Sequence, residues 1–245
     1  MFALFKSRPK LSELISNEYV DIHSHLLPGI DDGAQTIDDS KSILEAMQSL
    51  GFKQVITTPH TIKTVWNNTK QGIENTYEYT KQELEELTNK LHLSVASEYM
   101  MDENFVELFK SEKLLTLKDN YVLVEMSYLN PPIQLFEIIF ELQLEGYKPI
   151  LAHPERYSFY HTKPHEYDKL KKAGCLFQMN LLSSVGYYSK EVAQTADYLL
   201  NNELIDFVGS DIHHQHHIAA FQNKIIIKNQ KELEKVIAKN KFFTK

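Results

Sequence analysis

The sequence predicts an α/β protein in which a parallel sheet closes into a barrel. Short runs rich in β-branched and aromatic residues alternate with longer segments of helical period, which is typical of βα units. Its 245 residues, 42% of them hydrophobic, are enough for the core of one domain. Residues of metal-binding type follow six of the predicted strands. An open sheet brings only the strands at its switch point together, so this number favours a closed barrel.

The first predicted strand covers residues 18–23, and the first helix follows it from Thr36. Thr36 is the expected N-cap, Asp39 stands three residues later in a capping-box position, and Gly51 ends the helix. The apolar residues recur at helical spacing, which predicts one buried face. That face consists of Ile43, Leu44, Met47 and Leu50.

The later segments continue the same alternation. The other predicted strands are residues 52–60, 91–98, 120–127, 147–154, 174–180 and 204–211. The other predicted helices are residues 68–90, 131–146, 165–173 and 189–201. Pro131 and Pro132 open the second of these helices and Gly146 ends it, in keeping with the usual preference for proline first and glycine last. We predict a single barrel domain over residues 18–245, preceded by a peripheral extension over residues 1–17.

Composition excludes several classes of protein. A net charge of −7 without a local basic stripe argues against binding to nucleic acid. The apolar stretch at the N-terminus is too short for a signal peptide, and no segment approaches the roughly 18 apolar residues of a membrane span. The single cysteine, Cys175, excludes an internal disulfide and is expected to pack in the core. We therefore predict a cytoplasmic protein without membrane insertion.

Potential metal ligands stand at or near the ends of the predicted strands. Within "HSH" and "DIH", alternation along an extended backbone directs both ligand-type side chains to the same side. Because the carboxyl ends of parallel strands share one face, residues far apart in sequence are expected to meet there. The candidates are His23, His25, His60, Glu98, Glu125, His153, Asp211 and His213.

Carboxylates within strands need a positive partner, since an unpaired buried charge is costly. The chain has only two arginines, Arg8 and Arg156, so divalent cations are the expected partners of Glu98 and Glu125. The remaining histidines lack such a context. His92, His161 and His165 are expected at the surface, and His214, His216 and His217 in a polar loop from which one side chain can reach a substrate.

The motifs "DIHSHLLPGIDDG", "ITTPH", "ASE", "LVEMS", "LAHPERY" and "GSDIH" follow one another within residues 19–213. In this combination and order, the chain resembles the PHP (polymerase and histidinol phosphatase) superfamily. Within that superfamily it is similar to the manganese-dependent protein-tyrosine phosphatases of bacterial capsule and exopolysaccharide loci. The resemblance implies a distorted (β/α)7 barrel with three divalent metal ions at the C-terminal ends of its strands.

The resemblance also assigns ligands to the three ions. It implies that the first ion is bound by His23, His25, Glu98 and Asp211, the second by Glu98, Glu125 and His153, and the third by Asp32, His60 and His213. Asp31 remains an alternative to Asp32. Manganese is the implied metal, although the mixed imidazole and carboxylate ligands also suit iron and zinc.

Arg156 is implied to bind the substrate phosphate, because a guanidinium contacts two phosphoryl oxygens at once. A structural pairing of Arg156 with Glu155 or another surface acid is the alternative. His60 and Asp211 complete the predicted catalytic set, in which paired ions neutralise the phosphoryl oxygens and activate a water.

The implied activity is hydrolysis of phosphotyrosine in a protein, such as a tyrosine autokinase of polysaccharide export. A phosphatase for a small metabolite such as histidinol phosphate is an alternative with the same metal site. A non-catalytic, metal-stabilised regulator is a third, because the loops after "PH" and "SDIH" contain fewer basic residues than is common in the family. The oligomeric state stays open.

Overall fold

The computed structural model describes residues 8–15 and 18–245. Its strands are β1 Tyr19–Asp21, β2 Phe52–Thr57, β3 His60–Thr61, β4 Ser94–Val95, β5 Glu98–Met100, β6 Tyr121–Glu125, β7 Lys148–Ala152, β8 Leu176–Asn180 and β9 Phe207–Gly209. Its α-helices are α1 Ile37–Ser49, α2 Lys70–Glu83, α3 Glu85–Lys90, α4 Glu103–Ser111, α5 Leu135–Leu144, α6 His165–Lys172, α7 Lys190–Asn201, α8 Gln215–Ala220 and α9 Gln230–Lys239. Short 3-10 helices cover Leu11–Glu13, Pro154–Arg156, Ser158–Tyr160, Leu181–Val185 and Asn240–Phe243.

The strands form two parallel sheets. One has the order β1-β2-β4 and the other the order β3-β5-β6-β7-β8-β9. The strand pairs within both sheets are parallel. The predicted α/β class with a parallel sheet is therefore confirmed, and the carboxyl ends of the strands lie on one face.

Two predicted strands are each interrupted. The segment 52–60 divides into β2 and β3, and the segment 91–98 ends in β4 and the first residue of β5. Pro59 explains the first break, because proline has no N–H to give to a neighbouring strand. Hydrogen bonds still cross the gap: the N–H of Ala96 donates to the carbonyl of Thr57 at 2.9 Å, and that of Glu98 to Pro59 at 3.1 Å.

The residues that follow β1 and β9 are hydrogen-bonded to each other. The N–H of Asp211 donates to the carbonyl of His23 at 2.7 Å, and the N–H of His25 to Ile212 at 2.9 Å. Ser24 and Ile212 form an isolated parallel bridge. These contacts join the first strand of the smaller sheet to the last strand of the larger one and bring their histidine and aspartate side chains together.

Two buried polar side chains strengthen this junction. Asn240 donates from Nδ2 to the carbonyls of Val20 at 2.8 Å and Val208 at 2.7 Å. Asp21 accepts the backbone N–H of Ser210 at 2.8 Å and its hydroxyl at 2.7 Å. Asn240, near the C-terminus, thus contacts both β1 and β9, and Asp21 of β1 contacts the residue that follows β9.

Helix α1 begins as predicted. Thr36 is the N-cap, and the reciprocal hydrogen bonds of a capping box join it to Asp39. Ile43, Leu44 and Met47 are buried, whereas Leu50 is half-buried at the C-cap. The apolar spacing therefore predicted the buried face of α1, except that Leu50 at its C-terminal end is only half-buried.

Other helix predictions were wrong in their limits. The helix expected from Pro131 begins at Leu135, with Gln134 as its N-cap, so the two prolines precede the helix and do not form its first turn. The helix expected over residues 68–90 breaks at Leu84, whose φ of −125° and ψ of 38° are not helical. Helices α4, α8 and α9 were not predicted. In α4 the signal was Asp102, which caps the N–H of Phe105 at 2.9 Å.

The hydrophobic core extends to the described N-terminal residues. Leu11 is fully buried and its N–H donates to the carbonyl of Asn223 at 3.0 Å, so residues 8–15 pack on the body of the protein. Cys175 is also buried, and burial raises the pKa of its thiol to about 12, which suits the predicted packing role. Among residues 8–15 and 18–245, each helix is too short or too polar to cross a membrane.

Candidate metal centre

Glu98 is the centre of the cluster at the carboxyl ends of the strands. It is fully buried, and its Oε2 lies 3.2 Å from Nε2 of His23 and 3.2 Å from Nδ1 of His60. Its Oε1 lies 3.1 Å from Nε2 of His153. Burial raises the pKa of Glu98, but His23 and His60 outweigh burial and hold this pKa well below its ordinary value. A carboxylate with both oxygens facing nitrogen ligands can bind two cations.

His23 and His25 direct their Nε2 atoms towards the same point. Nδ1 of His23 donates to Oε1 of Gln178 at 2.7 Å, and Nδ1 of His25 donates to Oδ2 of Asp31 at 2.8 Å. The two Nε2 atoms are 3.3 Å apart. In the neutral form of each ring the proton is on Nδ1, so that loss of any second proton leaves a lone pair on Nε2 for a cation, which is the arrangement that metal-binding histidines use.

The neighbouring acids Asp31 and Asp32 differ in position. Asp31 is 1% exposed, and its Oδ2 accepts hydrogen bonds from His25 and from the N–H of His60. The Asp32 side chain is 55% exposed, and its Oδ1 lies 3.4 Å from Nε2 of His60 and 3.3 Å from Nε2 of His213. Asp32 therefore lies within a donor group, whereas Asp31 orients His25.

The loop that carries these acids turns back on His25. The N–H of Gly29 donates to Ala34 at 2.8 Å, and that of Ala34 to the carbonyl of His25 at 3.1 Å. Gly29 has a φ of +73°, and a Cβ atom on Gly33 would lie only 2.1 Å from the carbonyl oxygen of His25. Glycine is required at position 33 because any side chain would displace His25.

Asp211 and His153 follow β9 and β7 in the left-handed backbone region, with φ values of 51° and 38°. This conformation is costly for residues other than glycine and is often found at functional sites. Oδ2 of Asp211 accepts from Nη1 of Arg156 at 2.8 Å and from Nδ2 of Asn180 at 2.6 Å. Its Oδ1 lies 3.3 Å from Nε2 of His23 and remains directed at the histidines.

Arg156 lies at the rim of the cluster between two tyrosine rings. Its guanidinium carbon is 4.8 Å from the centroid of Tyr128 and 4.1 Å from that of Tyr188. Its partner is Asp211 and not Glu155, which is fully buried and accepts the hydroxyl of Ser183 at 2.6 Å. Stacking on both faces leaves the edge of the guanidinium, 22% exposed as a side chain, to face a ligand.

The ring of His213 is oriented like those of His23 and His25, with Nδ1 facing an oxygen acceptor. Its Nδ1 donates to the carbonyl of Asp211 at 3.0 Å, which leaves Nε2 as an acceptor towards Asp32. Its backbone N–H donates to Nδ1 of His217 at 3.0 Å. His217 is buried on helix α8 and not in a loop as the sequence predicted, and it lines the site, in keeping with the expectation that one histidine of this stretch can reach a substrate.

All nine predicted ligands fall into overlapping donor groups whose ligand atoms lie within 4.8 Å of one another. Within the described residues these groups are His25, Asp32, His60 and His213; His23, Glu98 and His153; His23, His25 and Asp211; and His60, Glu98 and Glu125. His60 belongs to two groups because its two ring nitrogens face opposite ways.

The donor set fits divalent cations. Nδ1 of His60 and Oε1 of Glu125 are 2.9 Å apart, yet both are buried without a hydrogen-bond partner in the described chain, as is Nδ1 of His153. Such orphaned atoms are costly unless something binds them. Arg156 is the only Lys or Arg among the described residues that line this cavity, so positive charge for the buried carboxylates must come from protonated histidines or from bound metal.

The centre opens into a cavity of about 240 Å³. Its described lining is Asp32, His60, Tyr128, Arg156, Tyr188, Asp211, His213, His214 and His217.

Sequence reasoning missed the supporting residues Tyr128, Gln178, Asn180 and Tyr188. Gln178 and Asn180 left a signal, because polar residues interrupt a strand that is otherwise apolar and buried. His92 and His165 are exposed as predicted, while His161 is half-buried and donates to the carbonyl of Glu155.

A sequence model of the family described as "Capsular polysaccharide synthesis, CpsB/CapC" matches residues 19–243. The chain belongs to the CpsB/CapC family. The tyrosine-protein phosphatase YwqE of Bacillus subtilis (strain 168) is 30% identical to this CpsB/CapC chain over 195 residues, which make up 79% of the chain and 77% of YwqE. The tyrosine-protein phosphatase CpsB of Streptococcus agalactiae serotype V is 26% identical over 200 residues, 79% of this chain and 82% of CpsB.

A solved structure agrees with these relatives. It comes from crystal structures of YwqE from Bacillus subtilis and CpsB from Streptococcus pneumoniae, which are described as metal-dependent tyrosine phosphatases. It superimposes with a TM-score of 0.77 at 28% sequence identity and covers 88% of this chain and 86% of the other. The resemblance to capsule-locus tyrosine phosphatases, inferred from the sequence motifs, is thereby confirmed.

Metal binding to this centre is expected to release protons. Burial opposes protonation of His23, but Glu98 and Asp211 outweigh it and raise the pKa of His23 to about 9. Burial and then the charge of Glu98 raise the pKa of Glu125 to about 7. Both groups hold protons in the metal-free protein near pH 7 and must lose them to bind a cation, so affinity should rise from pH 7 to pH 9. Titration of Mn²⁺ by calorimetry in two buffers of different ionisation enthalpy measures the release, and identical apparent enthalpies would contradict it.

Proposed function

We propose that this CpsB/CapC chain is a metal-dependent phosphomonoester hydrolase that dephosphorylates tyrosine residues of a protein. The observation that carries the proposal is the buried donor cluster around Glu98 with Arg156 stacked at its rim. The cluster can hold cations, and the guanidinium can hold the phosphoryl group beside them. Relatives named tyrosine-protein phosphatases align with 79% of this chain.

We infer that the site binds three divalent ions, with manganese as the expected metal and iron or zinc compatible with the same ligands. The first ion is assigned to His23, His25, Glu98 and Asp211, the second to Glu98, Glu125 and His153, and the third to Asp32, His60 and His213. Two features support the first and third of these ligand sets, whereas the donor groups place Glu125 with His60 and His153 with His23 around the shared Glu98. The Nε2 atoms of His23 and His25 converge, and Asp32 lies near the Nε2 atoms of His60 and His213. Bound ions would supply Lewis-acid charge for the phosphoryl oxygens and a more acidic water.

The protein's own contribution is to position the phosphoryl group. Arg156 can give two parallel hydrogen bonds to phosphoryl oxygens, and the rings of Tyr128 and Tyr188 keep its plane in place. Asp211 holds one guanidinium nitrogen, so the rest of the fork faces the cavity. His60 and Asp211 belong to the same wall and complete the proposed catalytic set. Tyrosine is a suitable leaving group because its pKa is about 10, far below that of an alkyl alcohol.

The shape of the cavity favours a protein substrate. At about 240 Å³ it is smaller than the roughly 300–1,000 Å³ of pockets that enclose small ligands. Its rim is open, since Tyr128 is 43% exposed and the Asp32 side chain 55% exposed. A phosphotyrosine side chain presented by a protein can enter such a site, whereas a metabolite such as histidinol phosphate would remain partly in water.

We propose a tyrosine autokinase of polysaccharide export as the partner, in keeping with the capsular polysaccharide synthesis family. The reducing cytoplasm, which suits a chain with one buried cysteine, is the proposed location. We further propose that residues 18–245 form one distorted (β/α)7 barrel. The hydrogen bonds from Asp211 to His23 and from His25 to Ile212 support closure between the first and last strands.

Replacing His153 tests the activity and its metal dependence. Purified protein with Mn²⁺ is expected to hydrolyse p-nitrophenyl phosphate and a phosphotyrosyl peptide, and His153→Ala to reduce turnover to background because the second ion loses a ligand. His92→Ala, at an exposed position, is the matched control. Wild-type protein that stays inactive with Mn²⁺, Fe²⁺, Co²⁺ and Zn²⁺ would refute the proposal. Binding of the peptide without hydrolysis would favour a regulator, and faster hydrolysis of histidinol phosphate a metabolite phosphatase.

The two acids of "IDDG" should respond differently to substitution. Asp32→Asn is expected to remove one bound ion per chain, because it deletes a direct ligand. Asp31→Asn is expected to keep the number of ions but weaken binding about 10- to 100-fold, since it loosens only the orientation of His25. Metal content after dialysis and a competitive metal titration measure the two effects. Loss of an ion from Asp31→Asn alone would reverse the assignment.

Arg156→Lys tests the planar fork. Lysine keeps the charge but contacts one oxygen at a time and stacks poorly between Tyr128 and Tyr188, so kcat/KM for an aryl phosphate should fall about 10- to 100-fold. Metal content should stay unchanged because Arg156 binds no ion in the proposed assignment. A lysine variant with wild-type kcat/KM would show that point charge alone is sufficient.

A further inference from the structure

His217 lies in the wall of the cavity and has no role in the ligand assignment. It is on helix α8, is 8% exposed, and lines the cavity together with Arg156. Its ring centroid is 5.0 Å from that of Tyr187 in an edge-to-face contact and 4.0 Å from that of His214. The imidazole is thus held between neighbours and cannot swing freely.

One ring nitrogen of His217 is committed to the backbone. Nδ1 lies 3.0 Å from the backbone N of His213. A backbone N–H only donates, so Nδ1 must present its lone pair and cannot carry a proton. The ring is consequently neutral, with its single N–H at Nε2. The hydrogen bond therefore turns His217 into a donor of defined direction.

The other nitrogen is available to a ligand. Nε2 of His217 has no hydrogen-bond partner among residues 8–15 and 18–245, and it is not among the buried polar atoms that lack partners in that part of the chain. The nitrogen is therefore in contact with solvent. His217 lines the same cavity as Arg156, and Nε2 is its one polar side-chain atom without a partner in the described chain, so it is the atom that a ligand in the cavity would engage.

A phosphoryl group has three terminal oxygens, and the fork of Arg156 can hold two of them. The third needs another donor, and the residues from His213 to Asn223 contain no lysine or arginine to supply it. A neutral N–H satisfies this oxygen without adding a positive charge next to His213, which is assigned to a cation. We propose that His217 is a catalytic residue that donates its Nε2–H to a phosphoryl oxygen of the substrate. This inference rests on the proposed phosphatase function and deepens it.

Two substitutions separate the two nitrogens of His217. His217→Asn keeps an acceptor near the position of Nδ1 for the N–H of His213 but removes the donor in the cavity. His217→Gln places an amide N–H near the position of Nε2 and loses the contact with His213. The measurements are the calorimetric affinity of metal-loaded protein for inorganic phosphate, kcat/KM for p-nitrophenyl phosphate, and metal content.

We expect His217→Asn to bind phosphate about 10- to 100-fold more weakly with unchanged metal content, as for loss of a hydrogen bond to a charged group. We expect His217→Gln to recover a substantial part of that affinity. Wild-type affinity in His217→Asn would overturn the inference. So would equal weakening in both variants together with lost metal, because His217 would then act only by holding His213. Phosphate titration decides this question even if wild-type protein hydrolyses no aryl phosphate, a result that would refute the proposed function separately.

Discussion

The buried carboxylate of Glu98 is the constraint on which the rest of the site depends. It lies among His23, His60 and His153, which come from the ends of three different strands. A charge at this depth is tolerated only with compensating positive charge. The neighbouring carboxylates of Glu125 and Asp211 increase the negative charge that must be compensated. Arg156 compensates part of it through its ion pair with Asp211. Divalent metal ions are the simplest source of the remaining positive charge. Burial of Glu98 therefore destabilises the metal-free protein and at the same time creates a site for the cations that phosphate hydrolysis requires.

The backbone around this centre is shaped to bring the ligands close. A Cβ atom on Gly209 would lie 2.6 Å from Cβ of His23, so β9 can approach β1 only with glycine at that position. At the ends of β7 and β9, His153 and Asp211 adopt left-handed conformations that turn their side chains inward. These features cost conformational energy and contribute little to the hydrophobic core. These features lie together at the carboxyl ends of the strands. The site is therefore separate from the hydrophobic core that stabilises the rest of the protein.

Local sequence patterns were reliable where a single short-range interaction decides the structure. The capping box between Thr36 and Asp39 located the start of α1, because its reciprocal hydrogen bonds join residues only three positions apart. The start of α5 differs from the predicted one because proline is favoured both in the first turn of a helix and in the turn before it, and here Pro131 and Pro132 precede the N-cap Gln134. The break at Pro59 was also missed, since strand pairing depends on a partner almost forty positions away.

By itself, the sequence determined which side chains meet: the alternation of strands and helices orders the strand ends, and the ligand-type residues at those ends follow. Only the tertiary structure decided how they meet. It separated Asp32, beside two ring nitrogens, from Asp31, which orients His25. It also paired Arg156 with Asp211 instead of Glu155 and directed His217 into the cavity. These choices depend on atoms from elements far apart in the chain, whose distances and angles are set by packing and not by spacing in the sequence.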